Sequence, residues 1–270
     1  MKWNRIIPLV LTASFCFAIT NYLNVQASSD YQIVKTKYYT SSTPFHAKYP
    51  KQNTYLWNAK HTKRLHNLKN YPNSFWTRAK TVILRKNNKP AVYYYVAGMT
   101  PHGTPNLYGY IWRGYLKPGY NPNYKAWNGL DINYFLSDKD YQRYINQSPS
   151  QNLSREVLHL FPNARLSLNL SKLTAYGSTL TDFQKQFSDV LIVKNANNAF
   201  YNPRGKVTSA NQKLTAIKAA FDAHGYNQQK RSALNGYQIG IYYESNRQKG
   251  GIFSYDDGYY AGVTVVKSLN

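Results

Sequence analysis

The chain has 270 residues, carries 34 Lys and Arg against 11 Asp and Glu for a formal net charge of +23, and is 16% aromatic with 27 tyrosines. Aromatic content on this scale excludes a disordered chain, which lacks the apolar surface to build a core, and the length suffices for two domains. Charged residues total only 17%, so the imbalance comes from missing acids rather than surplus bases, and it points to anionic partners.

Residues 1–27 read as a secretory signal peptide: Lys2 and Arg5 form a positive start, "IIPLVLTASFCFAIT" an apolar run, and "VQA" ending at Ala27 a small-residue cleavage site. The apolar run is about 15 residues, short of the roughly 20 that a spanning helix needs, and no other segment is apolar enough to span. The single cysteine, Cys16, lies inside this run, where Phe15 before it disfavours lipidation. The exported chain is then expected to lack disulfides and a thiol nucleophile, as suits bacterial rather than animal export.

Next comes a lead segment, 28–50, followed by a basic domain expected over 51–125. Between Asp30 and Asp131 there are sixteen Lys and Arg and no acid, whereas from 131 onward ten acids face sixteen bases. The stretches 54–58, 74–86, 90–98 and 107–116 are rich in aromatic and β-branched residues, and "NYPN", "KNNKP", "GMTPHGTPN" and "KPGYNPN" separate them. Short strands at this spacing predict a small all-β barrel or sandwich. Alternation in 107–116 puts Tyr108, Tyr110, Trp112 and Gly114 on one side, with Gly109, Ile111, Arg113 and Tyr115 on the other. Arg113 beside Ile111 then calls for a barrel rim or a bulge near Gly114.

Residues 126–150 read as a linker containing a short helix over 137–147 capped by Ser137. The remainder, 151–270, predicts an α+β domain with an antiparallel sheet. Leu153, Val157 and Phe161 mark one helix; Thr181 caps another that carries Phe183 and Phe187; and Leu214, Ile217 and Phe221 stripe a third that stops at Gly225. Strands are expected at 189–194, 237–245, 250–255 and 259–266, with a hairpin turn at Asp257-Gly258.

Motifs for phosphate-binding loops, dinucleotide folds, zinc peptidases and serine hydrolases are absent from the sequence. His61 and His66 flank Lys63 and Arg64, which oppose a metal cation. Asp256-Asp257 fits a turn, and Glu156 and Glu244 are the only glutamates; no carboxylate pair stands out for glycoside hydrolysis. No cofactor or metal is expected.

The motifs "YLWN", "HTKRLHNLKNYP", "YYYV" and "GYIWRGYL", within residues 51–119, resemble the SH3-like, GW-type wall-binding modules of surface proteins from lactic acid bacteria. Where those modules often carry Gly-Trp, this chain has Gly109-Tyr110, with Trp112 two residues on. The resemblance implies a small β-barrel that holds a secreted protein non-covalently at the cell wall. The expected ligand is an anionic polymer of the teichoic or lipoteichoic acid type, whose phosphates attract cations and whose polyols meet aromatic faces. The candidate contacts are Arg113, Lys117, Trp112, Tyr110, Tyr115, Trp57, Lys63, Arg64, Trp76 and Arg78. Two alternatives stand beside this reading: a wall hydrolase or peptidase with its site in 151–270, and an exported nucleic-acid-binding protein.

Overall fold

The computed structural model describes residues 31–41, 43–103, 105–200, 208–243 and 262–268. The expected signal peptide, the 250–255 strand, the Asp257-Gly258 turn and Glu244 lie outside the described residues.

The fold is α+β and is built on two sheets. The first is antiparallel and eight-stranded: β1 (Gln32–Tyr38), β2 (Phe45–Ala47), β3 (Tyr55–Trp57), β4 (Arg64–Asn67), β5 (Phe75–Lys86), β6 (Lys89–Met99), β7 (Tyr108–Trp112) and β8 (Leu116–Pro118). Its order is β4-β3-β7-β6-β5-β2-β8, with β1 also on β5. The two end strands β4 and β8 are not paired to each other, so the expected closed barrel is replaced among the described residues by an open sheet. The lead segment is part of it: β1 pairs with β5 from Gln32 to Tyr38, and Phe45 of β2 lies opposite Trp76.

Local chemistry explains the long β5–β6 hairpin. Asn87 and Asn88 both take positive φ, 48° and 58°, the conformation that a two-residue turn of matching twist requires and that Asn tolerates best after Gly. One face of the sheet buries Phe45, Leu56, Leu68, Trp76, Val96, Leu107, Ile111 and Leu116. Gly98 faces Trp76 across the strands, and a Cβ there would stand 2.6 Å from the indole, so only glycine lets this ring cross β6.

The second unit holds α1 (Asp138–Gln147), α2 (Asn152–His159), β9 (Arg165–Leu166), α3 (Leu168–Ala175), α4 (Leu180–Gln184), β10 (Phe187–Leu191), α5 (Lys194–Asn198), α6 (Ala210–Ala223), α7 (Gln228–Ser232), β11 (Tyr237–Tyr242) and β12 (Gly262–Ser268). Its sheet runs β10-β12-β11-β9. It is mixed rather than purely antiparallel, because two-residue β9 pairs parallel to β11. Ser137 caps α1 by accepting from the Asp140 amide, and Ser209 and Gln212 form a reciprocal box at the start of α6. The cap of α4 is Thr179 rather than Thr181: Asp182 sits three residues after Thr179 and closes its own capping box. The helix therefore ends before Phe187, which opens β10, and Phe183 and Phe187 do not share a helical face.

Residues 126–150, expected as a linker, are packed instead. Trp127, Leu130, Ile132, Phe135, Tyr141, Tyr144 and Ile145 lie in the same core as Phe161, Phe221, Ile239 and Val265. That core reaches the first sheet through Phe75, whose ring meets Tyr120 and Trp127, each at 4.9 Å. Polar ties reinforce this joint: Asn121 Nδ2 donates to Pro72 O at 2.7 Å and Trp127 Nε1 to Asn73 O at 3.0 Å. The aromatic content that looked loop-like in sequence is the mortar between the units.

Candidate functional site

On β5, Trp76, Arg78, Lys80, Val82 and Leu84 alternate in sequence as if they formed one face. The pairing with β6 slips between Arg78, opposite Val96, and Lys80, opposite Tyr95. Cross-strand partners share a face, so Ala79 is a bulge and Arg78 and Lys80 lie on opposite sides of the sheet. Trp76 and Arg78 belong with Val96 and Tyr94. Lys80, Val82 and Leu84 belong with Tyr93, Tyr95 and Tyr110.

That second face carries a continuous row. Tyr38 lies opposite Lys80, Lys80 opposite Tyr95, Tyr95 opposite Tyr110, Tyr110 opposite Trp57, and Trp57 opposite Arg64. Six strands thus contribute one residue each, four aromatics with a cation at each end of the inner part of the row. Lys80 Nζ lies 5.1 Å from the Tyr95 ring centre, 5.5 Å from Tyr110 and 5.6 Å from Tyr38. Its hydrogen bond with the Tyr110 hydroxyl raises its pKa, partly offset by burial, so the ammonium stays charged. Burial raises the Tyr95 pKa, with the neighbouring Tyr110 and Tyr108 adding to it. At the other end the Arg64 guanidinium lies 4.5 Å from Tyr55 and 5.5 Å from Trp57. Each such contact contributes about 0.5–1 kcal/mol at exposed sites, enough to orient the cations without neutralising them.

Beside Trp57 the chain turns through Asn58, whose side chain accepts from the amides of Thr62 and Lys63. His61 takes φ 57° in this turn and stacks on Trp57 at 4.2 Å and 14°. Tyr31 covers it from a centroid distance of 4.2 Å, and Tyr93 meets it edge-on at 5.2 Å. Burial holds the His61 pKa below its ordinary value, its own backbone hydrogen bond opposes, and Lys86 adds to the lowering. Burial, followed by Tyr31, pushes Tyr93 up to about 12.

At the end of β7, Trp112 faces Tyr93 across the pair and is 42% exposed. Its indole folds over Gly114, where a Cβ would come within 2.2 Å of the ring, and Tyr115 meets it edge-on at 5.2 Å. The strand ends at Trp112 and a 3-10 turn follows at Arg113–Tyr115. This removes the conflict that regular alternation created for Arg113, which is exposed in the turn.

Of the sequence candidates, Tyr110, Trp57 and Arg64 fall in the row, although Tyr110 is a correction as a ligand contact, being buried with Val82, Leu84 and Tyr93, and Trp112 and Tyr115 form an adjacent exposed pair. Lys63 is exposed next to Arg64, and Lys117 is exposed opposite His46 on β8. Trp76 is a correction: it is fully buried in the core of the other face. Arg78 also lies on that face, 3.8 Å from the Tyr39 ring and 5.1 Å from Tyr94. Lys80, Tyr38, Tyr95 and His61 were missed. The lysine and tyrosines stand in plain view in the sequence, but their meeting depends on strand register.

Electrostatically the two units differ. Among the described residues, the ion pairs Arg143–Asp140, Lys185–Asp182 and Arg231–Asp222 all lie in the second unit, as does the 3.7 Å contact between His159 and Glu156. The second unit also has a cleft of about 350 Å³ lined by Gln142, Asn146, Arg155, His159 and Phe161 among others. Its guanidinium is engaged: Arg155 donates to Ile145 O and Ser148 O at 2.6 and 2.8 Å. Among the described residues no three His, Cys, Asp or Glu side chains converge as a metal site, and no helix is long and apolar enough to cross a membrane. Chemically, the row on the first sheet can accept an anion at each cation and an alkyl or sugar face between them. No family model, curated protein or solved structure matches this chain.

Proposed function

We propose that this is a secreted protein held non-covalently at a Gram-positive cell surface, where its first unit binds an anionic wall polymer of the teichoic acid type. The observation that carries this reading is the row Tyr38–Lys80–Tyr95–Tyr110–Trp57–Arg64 on a unit without a single acid between Asp30 and Asp131. The kinship with SH3-like modules draws support from the connectivity: the β5–β6–β7 meander is followed by a 3-10 turn, after which β8 returns to pair with β2. The apolar, positively started N-terminus of the sequence supports export.

Energetics favour a polymer over a small anion. One exposed ion pair contributes about 0–1 kcal/mol, so a single phosphate binds negligibly. A chain that engages several cations at once releases its counterions together, and its affinity then falls linearly with the logarithm of salt. The test is sedimentation of the full chain with purified Gram-positive walls, intact or stripped of teichoic acid, over a salt series. Binding to intact walls with a steep salt dependence is expected. Equal binding to stripped walls, or binding indifferent to salt, refutes the proposal.

A further inference from the structure

We propose that the cross-strand row is a two-point clamp for a flexible, linear polyol phosphate chain, with Lys80 and Arg64 each taking one phosphate, the half-buried Tyr95 and Trp57 flooring the segment between, and buried Tyr110 supporting them from beneath. This rests on the reading of the first unit as a polyanion binder, and adds to it a binding direction, a minimum ligand length and two residues that set it. Four strand intervals separate Lys80 on β5 from Arg64 on β4. At about 4.8 Å per interval the two cations stand roughly 19 Å apart along the row. The ligand therefore crosses the strands rather than following one.

Two features select the kind of chain. Neighbouring strands rotate by about 20–25°, so the face turns by roughly 90° between the two cations; a flexible backbone follows this path and a stiff one does not. The aromatics also deny room to stacked bases. His61 lies flat on Trp57 at 4.2 Å with Arg64 5.5 Å from the same ring. Tyr95 and Tyr110 meet at 55°, not parallel, and Lys80 lies within 5.5 Å of both ring centres. What the row offers is phenol hydroxyls, ring edges and two cations, which suits alternating phosphates and polyols better than successive bases.

The experiment measures affinity of the full chain for synthetic glycerol phosphate oligomers of increasing length at fixed low salt, by isothermal titration. Lys80→Met and Arg64→Met remove one anchor each and keep the aliphatic stem. Lys35→Met removes an equal charge from β1 opposite Ile83, off the row, and circular dichroism checks the fold of all three. Affinity is expected to step up by about 100-fold or more at the length whose span first reaches the two anchors, because the second contact becomes intramolecular. Either anchor variant should abolish the step, while Lys35→Met keeps it. Affinity that climbs smoothly with charge and falls equally in all three variants overturns the clamp but leaves polyanion binding standing. Oligomers and walls that both fail to bind defeat the underlying reading as well, and single-stranded oligonucleotides binding more tightly than any polyol phosphate would assign the row to nucleic acid instead.

Discussion

Replacing Phe75 by Ala tests whether the two units unfold as one. The ring is 7% exposed and meets Tyr120 and Trp127 at 4.9 Å each, so it is the main apolar link between the first sheet and the core of the second unit. Truncating a buried Phe costs about 3–5 kcal/mol, transfer and cavity together, and two aromatic contacts of about 0.5–1.5 kcal/mol each lie within that sum. Since the hydrogen bonds from Asn121 and Trp127 to residues 72–74 remain, we expect a loss near 4 kcal/mol rather than more. Urea unfolding followed by tryptophan fluorescence and far-ultraviolet circular dichroism reads it. The unsubstituted chain should give coincident transitions, and the variant should separate them, with the sheet and the helical unit melting apart. Tyr38→Ala, at 74% exposure, is the control and should stay within about 0.5 kcal/mol. A loss below about 1 kcal/mol, or two transitions already present in the original chain, refutes the view that 120–150 welds the units.

Gly114→Ala drives the Trp112 indole off its seat, because the added Cβ would stand 2.2 Å from the ring; wall binding should weaken several-fold with the melting midpoint little changed, and unchanged binding would remove Trp112 from the site. Arg231→Met strips a buried guanidinium from Asp222 and Tyr226 O, each at 2.6 Å; because Asp222 is partly open to water, a loss of about 2 kcal/mol in urea unfolding is expected, below the 3–5 typical of a fully buried pair. His46 and His61 both have pKa values depressed chiefly by burial. The unfolded chain therefore takes up protons first as pH falls below about 6.5, so their stabilising contribution is complete above that value and is lost as pH falls through the folded pKa values. Melting midpoints between about pH 8 and pH 5 should decline on the acid side, less so in His61→Asn, which keeps a residue that tolerates the positive φ; a midpoint that rises on acidification contradicts the sign.

Much of the fold was legible because periodicity and capping are local. The strands at 54–58, 74–86 and 90–98, the Ser137 cap and the Leu214, Ile217, Phe221 stripe all rest on spacings of a few residues, and their positions agree with β3, β5, β6, α1 and α6. The parts that were not legible depend on distant partners. Residues 126–150 read as a linker because Trp127 and Phe135 fall among Asn128, Gly129 and Asn133 with no period and the one expected helix is short, and only the facing helices show them to be core. The site divides the same way. Basic charge and aromatic density point to the first unit, and four of the residues they pick out, Trp57, Arg64, Tyr110 and Trp112, lie on neighbouring strands β3, β4 and β7. Trp76 was placed at the ligand, yet it is core, since an aromatic in a strand gives no sign of which face it occupies. Lys80 and Tyr95 went unnoticed because a cross-strand row joins residues that sequence separates.

The bulge at Ala79 makes β5 a strand with two allegiances. Three of its four buried positions, Trp76, Val82 and Leu84, share one parity in the sequence, yet Trp76 serves the core on one side of the sheet and Val82 and Leu84 a smaller core on the other. A single extra residue is what allows one strand to contribute to the interior at one end and to supply the Lys80 anchor to the outer row at the other. Forcing Ala79 into the ladder, with no residue removed, would therefore not trim a surface detail. It would turn Lys80, Val82 and Leu84 together onto the Trp76 side and set the ammonium beside that core, whereas deleting Ala79 would leave all three where they are.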